Sequence, residues 1–297
     1  MTNQFDEETL KRQLRVQTTL RILSKVLAYA FLILIALTVL FPFYWMINSS
    51  LKTNNEFYNG VAGIQTFFPH EKIMWTNYPD SMAMGSFGRY MFNTVLVGVV
   101  STILSIIITI LGAYAFSRMK FKGKEPLFAL LLATMMVPGE MFTITNYITA
   151  YNLHWFNTYT VMIIPFLVSV FYIYLLRQNF MQIPEDLYLA AKIDGTSDMR
   201  YLLRVMIPLA KPSIITITIL KMMGSWNAYI WPKLVNNTEE FKLITNGLRS
   251  AFTGDQIRPD TQLQMAAVTI VSIPLFLIFL FFRKYIMRGV SRSGTKG

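Results

Sequence analysis

Two long stretches without a single charge constrain this chain more than anything else in it. They run from Val26 to Leu51 and from Tyr90 to Ser117. About 20 apolar residues carry a helix across the roughly 30 Å hydrocarbon core of a bilayer. Both stretches exceed that length, which a helix buried in a soluble protein rarely does. Composition agrees: 54% of the residues are hydrophobic and only 14% are charged, where a soluble domain carries about a quarter charged residues. In lipid every backbone polar group must be satisfied internally, so only helices or closed barrels span. Runs this long and continuous predict helices. There is no cysteine, which excludes a disulfide framework and a thiolate metal site.

The apolar pattern predicts six spans, at about 26–49, 90–117, 126–148, 158–176, 213–232 and 263–282. The net charge of +11 sits in short blocks beside them. Lys11, Arg12, Arg15, Arg21 and Lys25 precede the first span. Arg118, Lys120, Lys122 and Lys124 follow the second, and Arg177, Lys192, Arg200, Arg204 and Lys211 follow the fourth. Arg283, Lys284, Arg288, Arg292 and Lys296 follow the sixth. The connection from Thr149 to Asn157 has no Lys or Arg. Positive blocks stay on the cytoplasmic side, so both termini and the loops after spans two and four are expected there. The first apolar run begins too late and is too long for a signal peptide, so no cleaved leader is expected. The basic N-terminal segment is short and lacks interleaved aromatics, so no nucleic-acid partner is expected.

Four spans carry an internal proline, Pro42, Pro138, Pro165 and Pro274. Each removes a backbone donor and predicts a bend. Leu10, Leu14, Val16, Leu20 and Leu23 follow roughly helical spacing, which predicts an amphipathic cytoplasmic helix leading into span one. The polar stretch from Lys52 to Gly88 reads as a long outer loop that lies on the membrane or receives a partner.

The loop after span four reads IPEDLYLAAKIDGTSDMRYLLRVMIPLAKP, residues 183–212. Pro184 suits a first helical turn, and Glu185 and Asp186 complement the helix dipole. Leu187, Ala190, Ala191 and Asp194 fall at three- and four-residue steps, so one face is expected to carry them. Gly195 can close the helix in the left-handed conformation. Thr196 or Ser197 can cap a second helix, whose apolar stripe is Tyr201, Leu202, Val205 and Met206. Pro208 and Pro212 then break the chain into span five. Two readings fit this helical hairpin: a packing element of its own membrane domain, or a docking element that offers the small Ala190 and Ala191 to a cytoplasmic protein.

This loop resembles the signature of binding-protein-dependent ABC importer permeases: an E-A-A triplet, a Gly four residues later and an I-x-x-P-type ending. Here the matching residues are Leu189 to Ala191, Asp194, Gly195 and Ile207–Pro208. Further stretches resemble the carbohydrate uptake family of these permeases. They are Ser50–Lys52, Asn77–Tyr78, Phe87 to Thr94, Ala113 to Met119, Ala133 to Glu140, Leu175 to Gln178, Gly224 to Asn227 and the closing Thr295 to Gly297. The chain departs from the family pattern at Leu189, where the family has Glu, and at Ala228, where it has an acid after S-W-N.

The resemblance implies an all-α integral membrane protein of type I importer permease fold, with six transmembrane helices and cytoplasmic coupling helices. It divides the chain into an N-terminal segment (1–25), the first helix (26–49), an outer loop (50–88), a permease domain (89–283) containing the coupling loop (183–212), and a tail (284–297). It also implies partners: a second, related permease, two ATPase subunits docked on the coupling loop, a solute-binding protein outside, and membrane lipid. Coupling is expected at Ala190, Ala191, Asp194 and Gly195. No G-x-x-x-x-G-K-[ST] occurs, so ATP and magnesium are expected on the separate ATPases and no cofactor on this chain.

Lys221 falls near the middle of span five, where a charge costs about 2.5–3.5 kcal/mol or more on insertion scales and so faces protein or water. It is expected either to pair with a carbonyl or an acid, or to line the path and meet an anionic group such as a uronate carboxylate. Ser225, Trp226, Asn227 and Tyr229 follow on what reads as the same helix, with 221, 225 and 229 on one face. Rings stack on sugar faces, and amides bond hydroxyls. Trp231 reads better as an interfacial anchor, Glu140 as an interfacial or loop contact, and His154 as a solvated loop residue. No catalytic constellation and no metal cluster is apparent. A secondary transporter would fit six broken helices but would not need the hairpin. A membrane-embedded enzyme would need clustered His, Asp or Glu within the spans.

Overall fold

The hydrophobic runs fold as the lipid argument requires. The computed structural model describes residues 2–60, 63–252 and 260–291, with side chains for 17–60, 63–252 and 260–284, and no strand occurs among them. Three helices are individually long and apolar enough to cross a membrane, and three bent helix pairs bring the number of candidate spans to six. Five of the expected spans coincide with a helix or a broken pair; span five, 213–232, is met only by the helix over Lys211–Trp226 and a short one over Ile230–Val235. The chain divides into two compact units, residues 1–78 with 260–269, and residues 79–259 with 270–297.

In the first unit, helix α1 runs unbroken over Thr2–Ser50. The helix expected to lead into span one is continuous with it, because nothing between them interrupts helical propensity. The side chains of the expected amphipathic segment before residue 17 lie outside the described residues, as does the closing Thr295 to Gly297. The stretch after α1 is a folded cap, with helix α2 (Asn54–Asn59), a 3₁₀ turn (Ile64–Phe67) and the start of helix α3 (Asn77–Ala83). Buried Asn77 donates its amide to the carbonyls of Ser50 (2.8 Å) and Lys52 (2.9 Å). Buried Lys52 donates to the Thr66 carbonyl at 2.6 Å, and Glu56 accepts from His70 Nδ1 at 2.9 Å. The long polar stretch expected as an outer loop is thus internally ordered: several of its polar residues bond one another and the carbonyls at the end of α1.

The second unit is built on helix α4 (Phe87–Ser117). Its buried positions include Asn93, Thr94, Gly98, Ser101, Thr102, Ser105, Thr109 and Ala113, whereas Phe92, Val95, Ile103, Ile107 and Leu111 are exposed. The helix is thus small and polar inside and large and apolar outside. Association of helices in lipid favours that arrangement, because small residues let backbones approach and hydroxyls bond locally. The elements around α4 are α5 (Lys124–Thr134), α6 (Phe142–Asn152), α7 (Tyr159–Ile163), α8 (Val170–Met181), α9 (Glu185–Ile193), α10 (Asp198–Tyr201), α11 (Ile207–Leu209), α12 (Lys211–Trp226), α13 (Ile230–Val235), α14 (Ile244–Phe252) and α15 (Thr261–Ser291), whose first residues belong to the other unit.

The prolines divide into two kinds. Pro42 and Pro274 lie inside continuous helices. Pro138 and Pro165 lie at breaks, where the chain bends by 80° and 46° respectively. A third break of 81° falls at Ala210, between Pro208 and Pro212. Upstream of it a π-turn spans Leu202–Met206, with the Ile207 N–H bonded to the Leu202 carbonyl. The ring of Pro208 crowds the carbonyl four residues back, and widening the turn relieves that clash.

Helix α14 lies in a region the sequence assigns to an outer connection. It packs on α4 at Gly247, where a Cβ would fall 2.1 Å from a ring carbon of Tyr90. At Gly98 of α4 a Cβ would meet only the flexible Met222 thioether, at 3.1 Å. Gly247→Ala is therefore expected to destabilise the protein by about 1–3 kcal/mol, as overpacking does. Gly98→Ala is expected to cost less, and denaturant unfolding of the two purified variants in detergent measures the order.

Candidate functional site

Three features of α12 and its surroundings open a cavity inside the second unit. Helix α12 ends at Trp226, with Asn227 in a C-cap conformation and Tyr229 outside the helix. This corrects the expectation that Asn227 and Tyr229 continue the helix and that 221, 225 and 229 share its face. The broken backbone is satisfied from α14: Thr245 Oγ1 donates to the Ala228 carbonyl at 2.6 Å and the Asn246 amide to the Tyr229 carbonyl at 3.1 Å. Those two bonds hold the turn open in apolar surroundings, where an unsatisfied carbonyl costs several kcal/mol.

The cavity has a volume of about 770 Å³, within the usual range for small-molecule sites. Lys221, Ser225, Asn227 and Tyr229 all stand on its wall, with Ser101, Ser169, Tyr172 and Trp231. The turn after α12 therefore brings together on one surface what the sequence placed on one helical face. Trp226 is the exception. It is 3% exposed, its indole N–H has no partner among the described residues, and it is not on the wall. Trp231 is also corrected: it is buried, donates to the Val161 carbonyl at 2.9 Å and meets Phe166 edge to face at 5.6 Å. It is a wall residue of the cavity rather than an interfacial anchor.

Lys221 is the only charged side chain on that wall among the described residues. Its ammonium donates to the Phe166 carbonyl at 2.8 Å, which the bend between α7 and α8 leaves without a helical partner. Of the two roles expected for it, the carbonyl pairing is thus present. An ammonium has three donors, and one bond leaves two to face the cavity. Ser225 is paired with Ser101 of α4 at 3.2 Å. Glu140 is exposed at the 80° break, in mid-span rather than at its end, and exposed His154 adopts φ 55° in the turn after α6.

The hairpin of residues 183–212 forms as expected in outline. Pro184 stands one residue before α9, Gly195 takes φ 70°, and Tyr201, Leu202 and Met206 are buried with Val205 packed beside them. The face of α9 differs from expectation at one residue. Leu187, Ala190 and Asp194 share an exposed face as expected, and only Ala191, at the edge of that face, packs inward with Tyr188. Ile193, 87% exposed, and Leu189 form an apolar tip. Ser197 holds the N-cap position of α10, but its side chain makes no capping bond.

Asp198 instead ties the hairpin to the bundle. It accepts from Tyr114 of α4 at 3.0 Å, Tyr188 at 2.9 Å and Lys192 at 3.0 Å. The hydrogen bond it donates to Asp198 holds the Lys192 ammonium above the ordinary lysine range. A raised value for Lys192 and a lowered one for Asp198 mean that this ion pair is present at neutral pH, is lost as pH rises beyond the lysine range, and is lost on acidification as Asp198 takes up a proton. Sequence reasoning missed this tie, since it needs Tyr114 from a helix 84 residues away.

Residues 108–292 match the family described as binding-protein-dependent transport system inner membrane component. The arabinooligosaccharides transport system permease protein of Bacillus subtilis is 30% identical over 268 residues, covering 90% of this chain and 94% of that one. The diacetylchitobiose uptake system permease protein of Streptomyces coelicolor is 26% identical, covering 90% and 87%. A chain of a bacterial ABC transporter that imports the acidic polysaccharide alginate superposes with a TM-score of 0.77 at 23% identity, covering 88% of this chain and 95% of that one. That likeness is one of overall fold. This chain belongs to the family of inner membrane components of binding-protein-dependent transport systems.

Proposed function

We propose that the chain is the permease subunit of an ATP-driven importer for a sugar or oligosaccharide. With a second permease of the same family it forms the translocation path. A solute-binding protein delivers the sugar from outside, and two ATPase subunits dock on the hairpin of residues 183–212. The chain itself is no enzyme and binds no cofactor; ATP and magnesium act on the ATPases. Both termini and the hairpin face the cytoplasm, as the positive blocks require. The observation that carries this reading is a continuous connection: the hairpin leads through α11 and the 81° break directly into α12, whose far end lines the cavity. The relatives named for arabinooligosaccharides and diacetylchitobiose support a carbohydrate as cargo. The test is co-purification with an ATPase, followed by ATP hydrolysis in proteoliposomes. Hydrolysis is expected to rise when a sugar-loaded binding protein is added; failure to associate with any ATPase overturns the reading.

In this reading Ser225, Asn227 and Tyr229 line the path, with Trp226 buried behind them, and Lys221 makes the path suited to an acidic sugar. A charge-assisted bond to a carboxylate is worth roughly 1.5–3 kcal/mol. Lys221→Gln is expected to lower uptake of a uronate-bearing oligosaccharide about tenfold or more, while a neutral oligosaccharide of the same length is affected far less. Equal effects on both, with normal assembly, overturn the acidic-substrate role.

Ala190, Asp194 and the tip at Leu189 and Ile193 form the docking surface, with Ala191 packed beneath and Gly195 as its hinge. Gly195 sits at φ 70° with open space where a Cβ would go, so only backbone strain limits substitution. A β-branched residue is an outlier there, whereas Asn enters the left-handed region readily. Gly195→Val is expected to uncouple ATP hydrolysis from uptake, and Gly195→Asn to retain most coupling; the ratio of sugar imported to ATP hydrolysed measures both.

A further inference from the structure

A second cavity, of about 390 Å³, lies where α4 ends, α5 begins and α8 hands over to α9. Its wall carries Arg118, Lys120 and Lys124 against a single acid, Glu185. Arg177 beneath it is already balanced by Glu125 at 3.3 Å and is spent on the Phe116 carbonyl at 2.9 Å. Three cations around one small space repel one another, and one acid does not balance them.

The donors differ in freedom. Arg118 is fixed, with Nη2 bonded to the carbonyls of Phe180 (3.0 Å) and Ile183, and its Nε is buried without a partner among the described residues. Lys124 makes one bond, to the Ser117 carbonyl at 3.1 Å, which leaves two ammonium donors. Lys120 is exposed and forms no hydrogen bond or ion pair among the described residues. Met181 is on the wall with these cations, and exposed Phe121 and Leu127 lie within three residues in sequence of Lys120 and Lys124. Cations above exposed apolar side chains, at the ends of three membrane helices, match the boundary between headgroup and acyl chain.

We propose that this cavity holds the phosphate of an anionic phospholipid from the cytoplasmic leaflet, with Lys120 and Lys124 as its donors, Arg118 as a fixed positive floor, and an acyl chain along Met181 and Leu127. Basic pockets between membrane helices on that side bind such headgroups. The site rests on the cytoplasmic placement of the hairpin but not on the cargo, and its occupant touches the start of α9. Lipid composition therefore acts on the position of the hairpin.

The test is made on the full chain in nanodiscs containing equal parts phosphatidylglycerol and phosphatidylcholine, with retained lipid counted by native mass spectrometry. The wild type is expected to retain phosphatidylglycerol selectively. Lys120→Gln is expected to lower that retention roughly fivefold, and adding Lys124→Gln to lower it again by a similar factor. Arg89→Gln, which removes a surface cation paired with Glu240 at 3.2 Å, is expected to leave retention unchanged. An unaltered unfolding midpoint for Lys120→Gln separates lost binding from lost folding. Equal retention of both lipids, equal loss in Arg89→Gln, or complete displacement of phosphatidylglycerol by excess inorganic phosphate overturns the proposal, the last by assigning the cavity to a free anion.

Discussion

The amide of Asn93 donates to the carbonyls of Glu240 at 2.8 Å and Lys242 at 2.9 Å, and its oxygen accepts from Tyr159 at 2.8 Å. One position of α4 thereby holds the approach to α14 and the start of α7. Thr94, its neighbour, accepts from the Ile244 N–H at 2.8 Å. Further along the same face Ser101 meets Ser225, and at the other end Tyr114 reaches Asp198 and Arg118 reaches the end of α8. A helix in lipid can be broken only where something else satisfies the exposed backbone. This chain breaks several helices, and α4 with α14 supplies much of what the breaks require. The polar stripe of α4 is therefore the condition for the cavity, since without it α12 would have to run straight through.

That dependence explains what the sequence made legible. The spans were readable because lipid imposes length and lack of charge on contiguous residues. The short motifs were readable as a family pattern, and their physical content appears only in the fold. Asn77, from one fragment, donates to the carbonyls of Ser50 and Lys52 in another that is separate in sequence. Tyr114 and Arg118, from one fragment, secure the middle of the hairpin at Asp198 and its start at Ile183. Arg177, from another, covers Phe128 at 4.1 Å and caps the end of α4. Most of the fragments quoted for the resemblance mark places where backbone polarity had to be neutralised.

The errors have the same origin. Extending the helix through Asn227 and Tyr229 was reasonable from apolar continuity, because Ile230 and Trp231 look like more of the span. The turn that ends it is stabilised by Thr245 and Asn246, which look like ordinary polar loop residues. The face of α9 departs from its spacing at one residue only: Ala191 lies at the edge of the face shared by Leu187, Ala190 and Asp194 and turns inward. The internal order of the stretch after α1 is not legible in sequence, because composition reports polarity and not whether polar groups have found each other.

The tip of α9 has a consequence for how much of this protein a cell can hold. Ile193 and Leu189 project into water in the isolated chain, and exposed apolar side chains invite aggregation and recognition by proteases. A subunit made in excess carries a mark of incompleteness at a point that a docked ATPase would conceal. Its abundance is then set by the supply of whatever covers that tip, rather than by its own rate of synthesis.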